Sequence, residues 1–379
     1  MIKLLYPKDG AKLSLVTAVQ REYMEKENAG MNYDMYKLLY RPVDDPDPNV
    51  TFLWLKQTYG AEFKNKYPNN PDEVNLTKPR YIEFGWASDT PCRLEVEFDQ
   101  ETDFPGDPEP AEIVYLSDSR PISVAEAGNL FARTKYKWRI VSQDGREQSE
   151  YRRFTTTDEF PRAIFAEGSA NIRDIGAVPR KNGGHIRQGC IYRGAALENI
   201  VDSGYSLTER GRRALADIVK IKSDVDFRFK ADAIISKSPI GKNTSYHVLP
   251  ARGYEAFFEP EYIPWWKPIL EFVADENNYP ILLHCAAGAD RTGTFFQILE
   301  VLLDADFDYV RHDYTLTSLT QRDYRFFVDY GECGRFLSGY TDGDDIVDVM
   351  RGNIEKFFYE KCGVSPETIQ KIRSNLIED

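Results

Sequence analysis

At 379 residues and 43.6 kDa the chain has the length of about two or three domains. Its 61 Asp+Glu against 48 Lys+Arg give a net charge of −13, which argues against non-specific binding to nucleic acid or an anionic membrane, because like charges repel and no counterions would be released. No run of about 18 apolar residues is present to cross a membrane, MIKLLYPKDG turns polar too soon for a signal-peptide core, and five scattered cysteines without a CxxC speak against a disulfide scaffold or a structural zinc site.

The N-terminal part reads as β-structure. Residues 6–11 look like an opening strand, and residues 16–26 have helix-like spacing. A Pro/Asp-rich stretch over 42–48 and Tyr/Asn-rich loops follow. From residue 78 to 157 apolar positions alternate with period two, the mark of half-buried strands: Tyr81 to Trp86, then Leu94, Val96 and Phe98, then Tyr136, Trp138 and Ile140. Turn chemistry separates them at 88–91, at 104–108 and at Asp144-Gly145. Short strands with regular turns indicate a β-sandwich. The stretch from Leu130 through Tyr136 and Trp138 to Thr156 resembles the late strands of fibronectin type III domains, with Tyr136 as the corner tyrosine. Residues 12–77 fit that pattern poorly and read as an insertion.

From residue 161 the pattern becomes mixed. Residues 208–219 are helical with Thr208 as N-cap, 223–228 and 246–249 are strand-like, and 265–273 are helical. Pro280-Ile281-Leu282-Leu283-His284 is a buried strand that runs into a small-residue turn and a second helix over 292–303. This alternation predicts an α/β domain with a largely parallel sheet flanked by helices. The expected division is a sandwich over 1–158, with its irregular insertion, and an α/β domain over 159–379.

The informative segment is His284-Cys285-Ala286-Ala287-Gly288-Ala289-Asp290-Arg291-Thr292-Gly293. The small residues Ala286, Ala287, Gly288 and Ala289 let backbone amides converge into an anion-binding nest, and the helix behind them adds its positive end. Arg291 supplies a bidentate fork for phosphoryl oxygens. The same field stabilises a thiolate, and a thiolate in a phosphate cradle is an in-line nucleophile on phosphorus. Asp290 faces two readings from sequence, a proton donor or a structural cap on the loop amides.

This loop resembles the Cys-x5-Arg-Thr/Ser signature of the protein tyrosine phosphatase superfamily. More narrowly it is similar to the bacterial tyrosine-phosphatase-like family, through His284, Cys285, Ala287, Gly288, Asp290, Arg291, Thr292 and Gly293. Asn171-Ile172-Arg173-Asp174-Ile175-Gly176, Tyr192-Arg193-Gly194-Ala195 and Asp226-Phe227-Arg228 resemble further motifs of that family in matching order, and residues 354–376 look like its closing helices. The resemblance implies a cysteinyl-phosphate mechanism without metal or cofactor. Cys285 is then the nucleophile, Arg291 and the loop amides hold the phosphoryl group, Thr292 donates to the thiolate, and His284 orients the loop. The implied substrate is a phosphotyrosine protein or small phosphomonoester, with a phosphoinositide or inositol phosphate as the alternative. A phosphate-recognition or adhesion protein with an inactive site is the alternative of another class. A fibronectin-like module fused to such a domain fits an exported bacterial protein.

Two departures stand out. The family's loop lysine is Ala289, which favours a substrate with one phosphate. The family's usual acid position aligns with Gly253, and no Asp lies between Asp232 and Asp275. Asp290 is the first candidate for general acid, with Glu255, Glu259 and Glu261 as alternates. Asp226 reads as a loop-orienting carboxylate. Arg173, Arg193 and Arg228 read as either ion-paired or substrate-facing. Cys190, Cys333 and Cys362 read as buried small hydrophobes, His185, His247 and His312 as structural, and Trp265-Trp266 as core.

Overall fold

A computed structural model of the protein describes residues 1–28, 75–99, 123–198, 205–229, 235–320, 327 and 330–378. The segments 42–48 and 104–108 discussed above lie outside these. Strands β1 (Lys3–Tyr6) and β2 (Ala11–Leu13) precede helix α1 (Ala18–Asn28). Strands β3 (Ile82–Ala87), β4 (Cys92–Phe98), β5 (Ser123–Ala127), β6 (Lys135–Ser142) and β7 (Arg152–Thr156) follow. They form two sheets, ordered β1-β3-β5 and β2-β7-β6-β4. The period-two pattern is what lets them pack: Ile82, Phe84, Trp86, Leu94, Val96, Tyr136, Trp138 and Ile140 face one shared core. Phe84 and Trp138 meet edge to face there at 5.0 Å. The Tyr136 hydroxyl accepts from the Phe131 amide at 2.8 Å, and Gly145 turns the chain after β6 at φ +73.

The second part comprises β8 (Arg162–Ala163), β9 (Arg173–Asp174), β10 (His185–Ile186) and β11 (Ile191–Gly194), then α2 (Glu209–Arg213), which runs into a π-helical turn over Ala214–Ile218. Next come β12 (Ser223–Asp226), β13 (Ser245–Val248), α3 (Ile263–Ala274), β14 (Ile281–His284) and α4 (Asp290–Leu302). Helices α5 (Phe307–Thr315), α6 (Ile346–Glu360) and α7 (Pro366–Leu376) and strand β15 (Ile377–Glu378) close the chain. Thr208 caps α2 as expected, accepting from Gly211 N. The main sheet is ordered β13-β12-β14-β11-β9-β8. Its four strands β13, β12, β14 and β11 run parallel, β9 pairs antiparallel with β11, and β8 pairs antiparallel with β9 and so returns to the common direction. β14 lies between β12 and β11 under helices on both faces, which is why residues 281–283 are uninterruptedly apolar. Gly194 and Asp226 stand in register with His284 on either side. Three parallel strands therefore end level, and the loops beyond their C-terminal ends form the crevice where such sheets bind ligands.

The two parts are fastened by side-chain amides that pair with backbone as a strand would. Asn129 Nδ2 donates to Phe165 O at 3.0 Å and its Oδ1 accepts from Phe165 N at 2.7 Å. Gln188 does the same with Ala132, at 3.0 and 2.9 Å. Helix α1, from the predicted insertion, packs against α5, where the buried Tyr23 hydroxyl donates to Thr315 O at 3.1 Å. Cys190, Cys333 and Cys362 are buried with free thiols, and Trp266 lies in the core with its Nε1 donating to Phe257 O at 3.0 Å.

Helix α5 also carries the buried His312. Burial and the neighbouring Arg311 push it down from 6.5 to about 4. A histidine depressed in the fold contributes stability that is complete above its ordinary value and lost as pH falls through the folded one. Stability should therefore decline between pH 6.5 and about 4, and His312→Gln should flatten that part of the profile in chemical denaturation. An unchanged slope in the variant would remove His312 from the account.

Candidate functional site

Residues 285–289 join β14 to α4, and Cys285 at their head is only 2% exposed. Four consecutive carbonyls of this loop are engaged by the surrounding scaffold. Cys285 O lies 3.4 Å from His284 Nδ1, and Ala286 O accepts from Ala196 N at 3.1 Å. Asn171 Nδ2 donates to Ala287 O at 3.1 Å and Gly288 O at 3.2 Å, and Arg193 Nη2 donates to Gly288 O at 2.8 Å. In a planar trans peptide the N–H points opposite to the carbonyl before it. Holding the carbonyls toward the scaffold therefore turns the amides of residues 286–289 to the other side, beside the N-terminus of α4. Gly288 is obligatory: its φ is +67 and a Cβ there would stand 2.4 Å from Gly194 O.

Arg291, in the first turn of α4, is half-buried, with its Nη1 donating to Phe227 O at 3.4 Å. The hydroxyl of Thr292 is buried with no hydrogen-bond partner among the described residues. The expected bond from Thr292 to the thiol is thus not formed here.

Beneath the cysteine, His284 is fully buried between two carboxylates, with Nε2 2.9 Å from Asp224 Oδ1 and Nδ1 4.0 Å from Asp226 Oδ1. Burial opposes its protonation, but Asp226 and Asp224 outweigh that and raise it to about 9. Burial likewise opposes the Asp226 charge, and His284 and Arg228 hold it down at about 2. Arg228 Nε lies 3.0 Å from both Asp226 oxygens, Tyr246 donates to Asp226 Oδ2 at 2.8 Å, and Arg228 also pairs with Glu198. His284, paired with these two carboxylates, thus stands directly before Cys285.

Behind the loop lies a second buried charge cluster. Asp313 on α5 accepts from Arg173 Nε at 2.5 Å and from Arg193 Nη1, and Arg173 also reaches Asn171 Oδ1. Both arginines are almost fully buried, so their alternative as substrate contacts gives way to positioning. They hold Asn171 and Gly288 O, and through these the loop. Asn171 sits at φ +60, a conformation Asn tolerates well among non-glycine residues. Neither Asn171 nor Asp313 carries a stated role in the sequence reading. The available signal is that Asp313 falls on the same face of α5 as Val310 and Tyr314, both buried.

At the other side of the loop, Asp290 accepts a hydrogen bond from the Tyr254 hydroxyl. Gly253, near where the resemblance would place an acid, packs directly on this turn: a Cβ there would lie 3.2 Å from Asp290 Cβ and 3.4 Å from Arg291 N. The space a longer side chain would need is filled by Asp290 itself. Tyr254 holds φ +60, which for a bulky residue costs roughly 1–3 kcal/mol and persists only where the surroundings enforce it. Its amide donates to Thr294 Oγ1 at 3.1 Å, and that hydroxyl donates to Asp290 O at 2.9 Å. Glu255, Glu259 and Glu261 are exposed on the neighbouring segment.

Among the described residues no cluster of His, Cys, Asp or Glu is arranged to hold a metal ion, and no helix is long and apolar enough to cross a membrane. Residues 164–378 match the sequence model of a tyrosine phosphatase family. No match is found among curated proteins. Two of the similar solved structures are the following. One is the core catalytic domain of the PP-IP phosphatase SIW14 from S. cerevisiae in complex with citrate, with TM-score 0.26, 19% identity, and coverage of 42% of this chain and 93% of that one. The other is a Siw14 catalytic core, with TM-score 0.25, 16% identity, and coverage of 48% and 96%.

Proposed function

The chain belongs to the tyrosine phosphatase family of cysteine-dependent phosphoric monoester hydrolases, and from that premise we propose that it removes single phosphates from phosphotyrosine proteins or small aryl phosphates. The observation that carries this reading is the run of loop carbonyls held from Cys285 to Gly288, which turns the amides after them toward one anion beside Cys285 and Arg291. In the first step the Cys285 thiolate attacks phosphorus, an S–P bond forms and the P–O bond to the leaving group breaks. Asp290 gives its proton to the departing oxygen. In the second step water attacks phosphorus, the Asp290 carboxylate takes its proton, and phosphate leaves as the thiolate is restored. The loop amides and Arg291 stabilise the equatorial oxygens in both transition states. His284 orients the loop and carries no proton in either step, in keeping with the upward push it receives from Asp226 and Asp224.

Ala289 lacks a cation that a second phosphate would call for, which supports a singly phosphorylated substrate over an inositol polyphosphate. A panel of phosphotyrosine peptides, phosphoinositides and inositol phosphates, assayed with a chelator present, tests this. Turnover of the peptides, blocked by vanadate, is the expected result. Preference for the inositol phosphates would overturn the substrate class, and tight binding without turnover would overturn the activity.

The same reading extends to the N-terminal part. We take residues 1–158 as a fibronectin type III-like module with an insertion over 12–77, and 159–379 as the phosphatase domain. The three- and four-stranded sheets and the Tyr136 hydroxyl bond support that division. The packing of α1 on α5 means that the insertion also braces the phosphatase domain.

A further inference from the structure

We propose that Tyr254, backed by Tyr314, is the positioning residue that holds Asp290 as the proton donor, so that the enzyme can expel poor leaving groups. This rests on the reading of Cys285 and Asp290 given above. As the first residue of α4, Asp290 would by default turn its carboxylate back onto the helix's own amides, the position of a structural cap. The Tyr254 hydroxyl donates to Oδ1 and so fixes the plane of the carboxyl group that carries the transferred proton.

Every feature around Tyr254 serves that contact. Gly253 lets the backbone close on Asp290 and Arg291. The left-handed turn at Tyr254 then directs the ring back over the loop. The bonds from Tyr254 N to Thr294 and from Thr294 to Asp290 O tie both ends of the contact to one helical turn. Tyr314 packs against Gly293, where a Cβ would stand 2.9 Å from its ring atoms, and its phenol acts on that of Tyr254. Burial, Tyr314 and Asp290 all push the Tyr254 phenol up, so it remains a donor wherever the enzyme works. Since Tyr314 follows Asp313 on α5, one helix braces both the loop carbonyls and the acid.

The test reads leaving-group dependence, which a merely structural role does not move. kcat/KM is measured for 2,4-dinitrophenyl, p-nitrophenyl and phenyl phosphate with the full chain and with Tyr254→Phe, Tyr314→Phe, Asp290→Asn and Tyr254→Phe/Asp290→Asn. The expected result for Tyr254→Phe is a small loss on the dinitrophenyl ester and a loss of roughly tenfold or more on the phenyl ester, part of the 10²–10⁴-fold that a general acid supplies. Tyr314→Phe should show the same trend more weakly, and the double variant should be no worse than Asp290→Asn. Equal losses across the esters, or additive losses in the double variant, would overturn the proposal. Cys285→Ser separates it from the reading beneath: turnover retained in that variant overturns the nucleophile assignment whatever the tyrosine does.

Discussion

Replacing Cys285 with serine is expected to reduce hydrolysis of every phosphomonoester to background while leaving oxyanion binding largely in place. The reason is a division of labour within the loop. Bond formation to phosphorus needs a group that is anionic at neutral pH and a good nucleophile, and a serine hydroxyl, which stays protonated in the field that ionises a thiol, is neither. Binding rests on the amides turned inward by Asn171, Arg193 and Ala196, and on Arg291, none of which the substitution touches. The measurement pairs steady-state turnover of p-nitrophenyl phosphate with calorimetric titration of tungstate. Turnover within tenfold of the unchanged enzyme would refute the nucleophile. Loss of tungstate binding would refute the separation of binding from chemistry. Acid-quenched trapping of a phosphoenzyme in Asp290→Asn, absent when Cys285 is also replaced, would place the phosphate on sulfur.

The second large effect lies away from the reacting atoms. Asp313→Ala should destabilise the protein by about 3–5 kcal/mol, the range for removing one partner of a buried ion pair. Its carboxylate is held charged, against the cost of burial, by Arg173 and Arg193. Without it the two buried guanidinium groups are left with only Glu300, whose carboxyl burial and Asp313 hold well above its ordinary value, and burial already brings Arg173 down to about 10. Arg193 would then be free to withdraw from Gly288 O, letting the peptide between residues 288 and 289 rotate. Chemical denaturation should show the lost stability, and tungstate should bind more weakly at temperatures where the variant is still folded. A variant with normal stability and normal oxyanion affinity would show that the cluster is dispensable. Asp313→Asn, which keeps the shape and some hydrogen bonds, should fall between the two.

Much of the site is legible in the chain itself because its chemistry is local. A strand that ends in His-Cys, a run of small residues and an Arg that opens a helix lie within ten consecutive positions. Nest geometry and helix dipole follow from such a run alone. The strands of the sandwich are legible for a similar reason: an alternating pattern states which face is buried without saying against what. Observed bounds follow the predicted ones for α3 at Ile263–Ala274 and α4 at Asp290–Leu302. The expected opening strand over 6–11 is instead the turn between β1 and β2, where Pro7 and Gly10 break the pairing. The spacing after residue 16 specifies a helix but not its partner, since amphipathic spacing does not name the surface it meets.

The local pattern along the chain therefore marks the candidate nucleophile, a candidate phosphate cradle and the α/β alternation that presents them. The folded chain sets which way the loop peptides face, because the donors that turn them come from Asn171, Arg193 and Ala196, some ninety or more positions upstream of the loop. It also explains why no acid stands at Gly253, whose missing side chain leaves room for Asp290, and it brings Tyr254 and Asp313 to opposite sides of one loop. A charged or polar side chain reads as solvent-facing until something shows it buried. Its role then depends on what stands within about 3 Å of it, a distance set by strand register and helix packing and by no pattern along the chain.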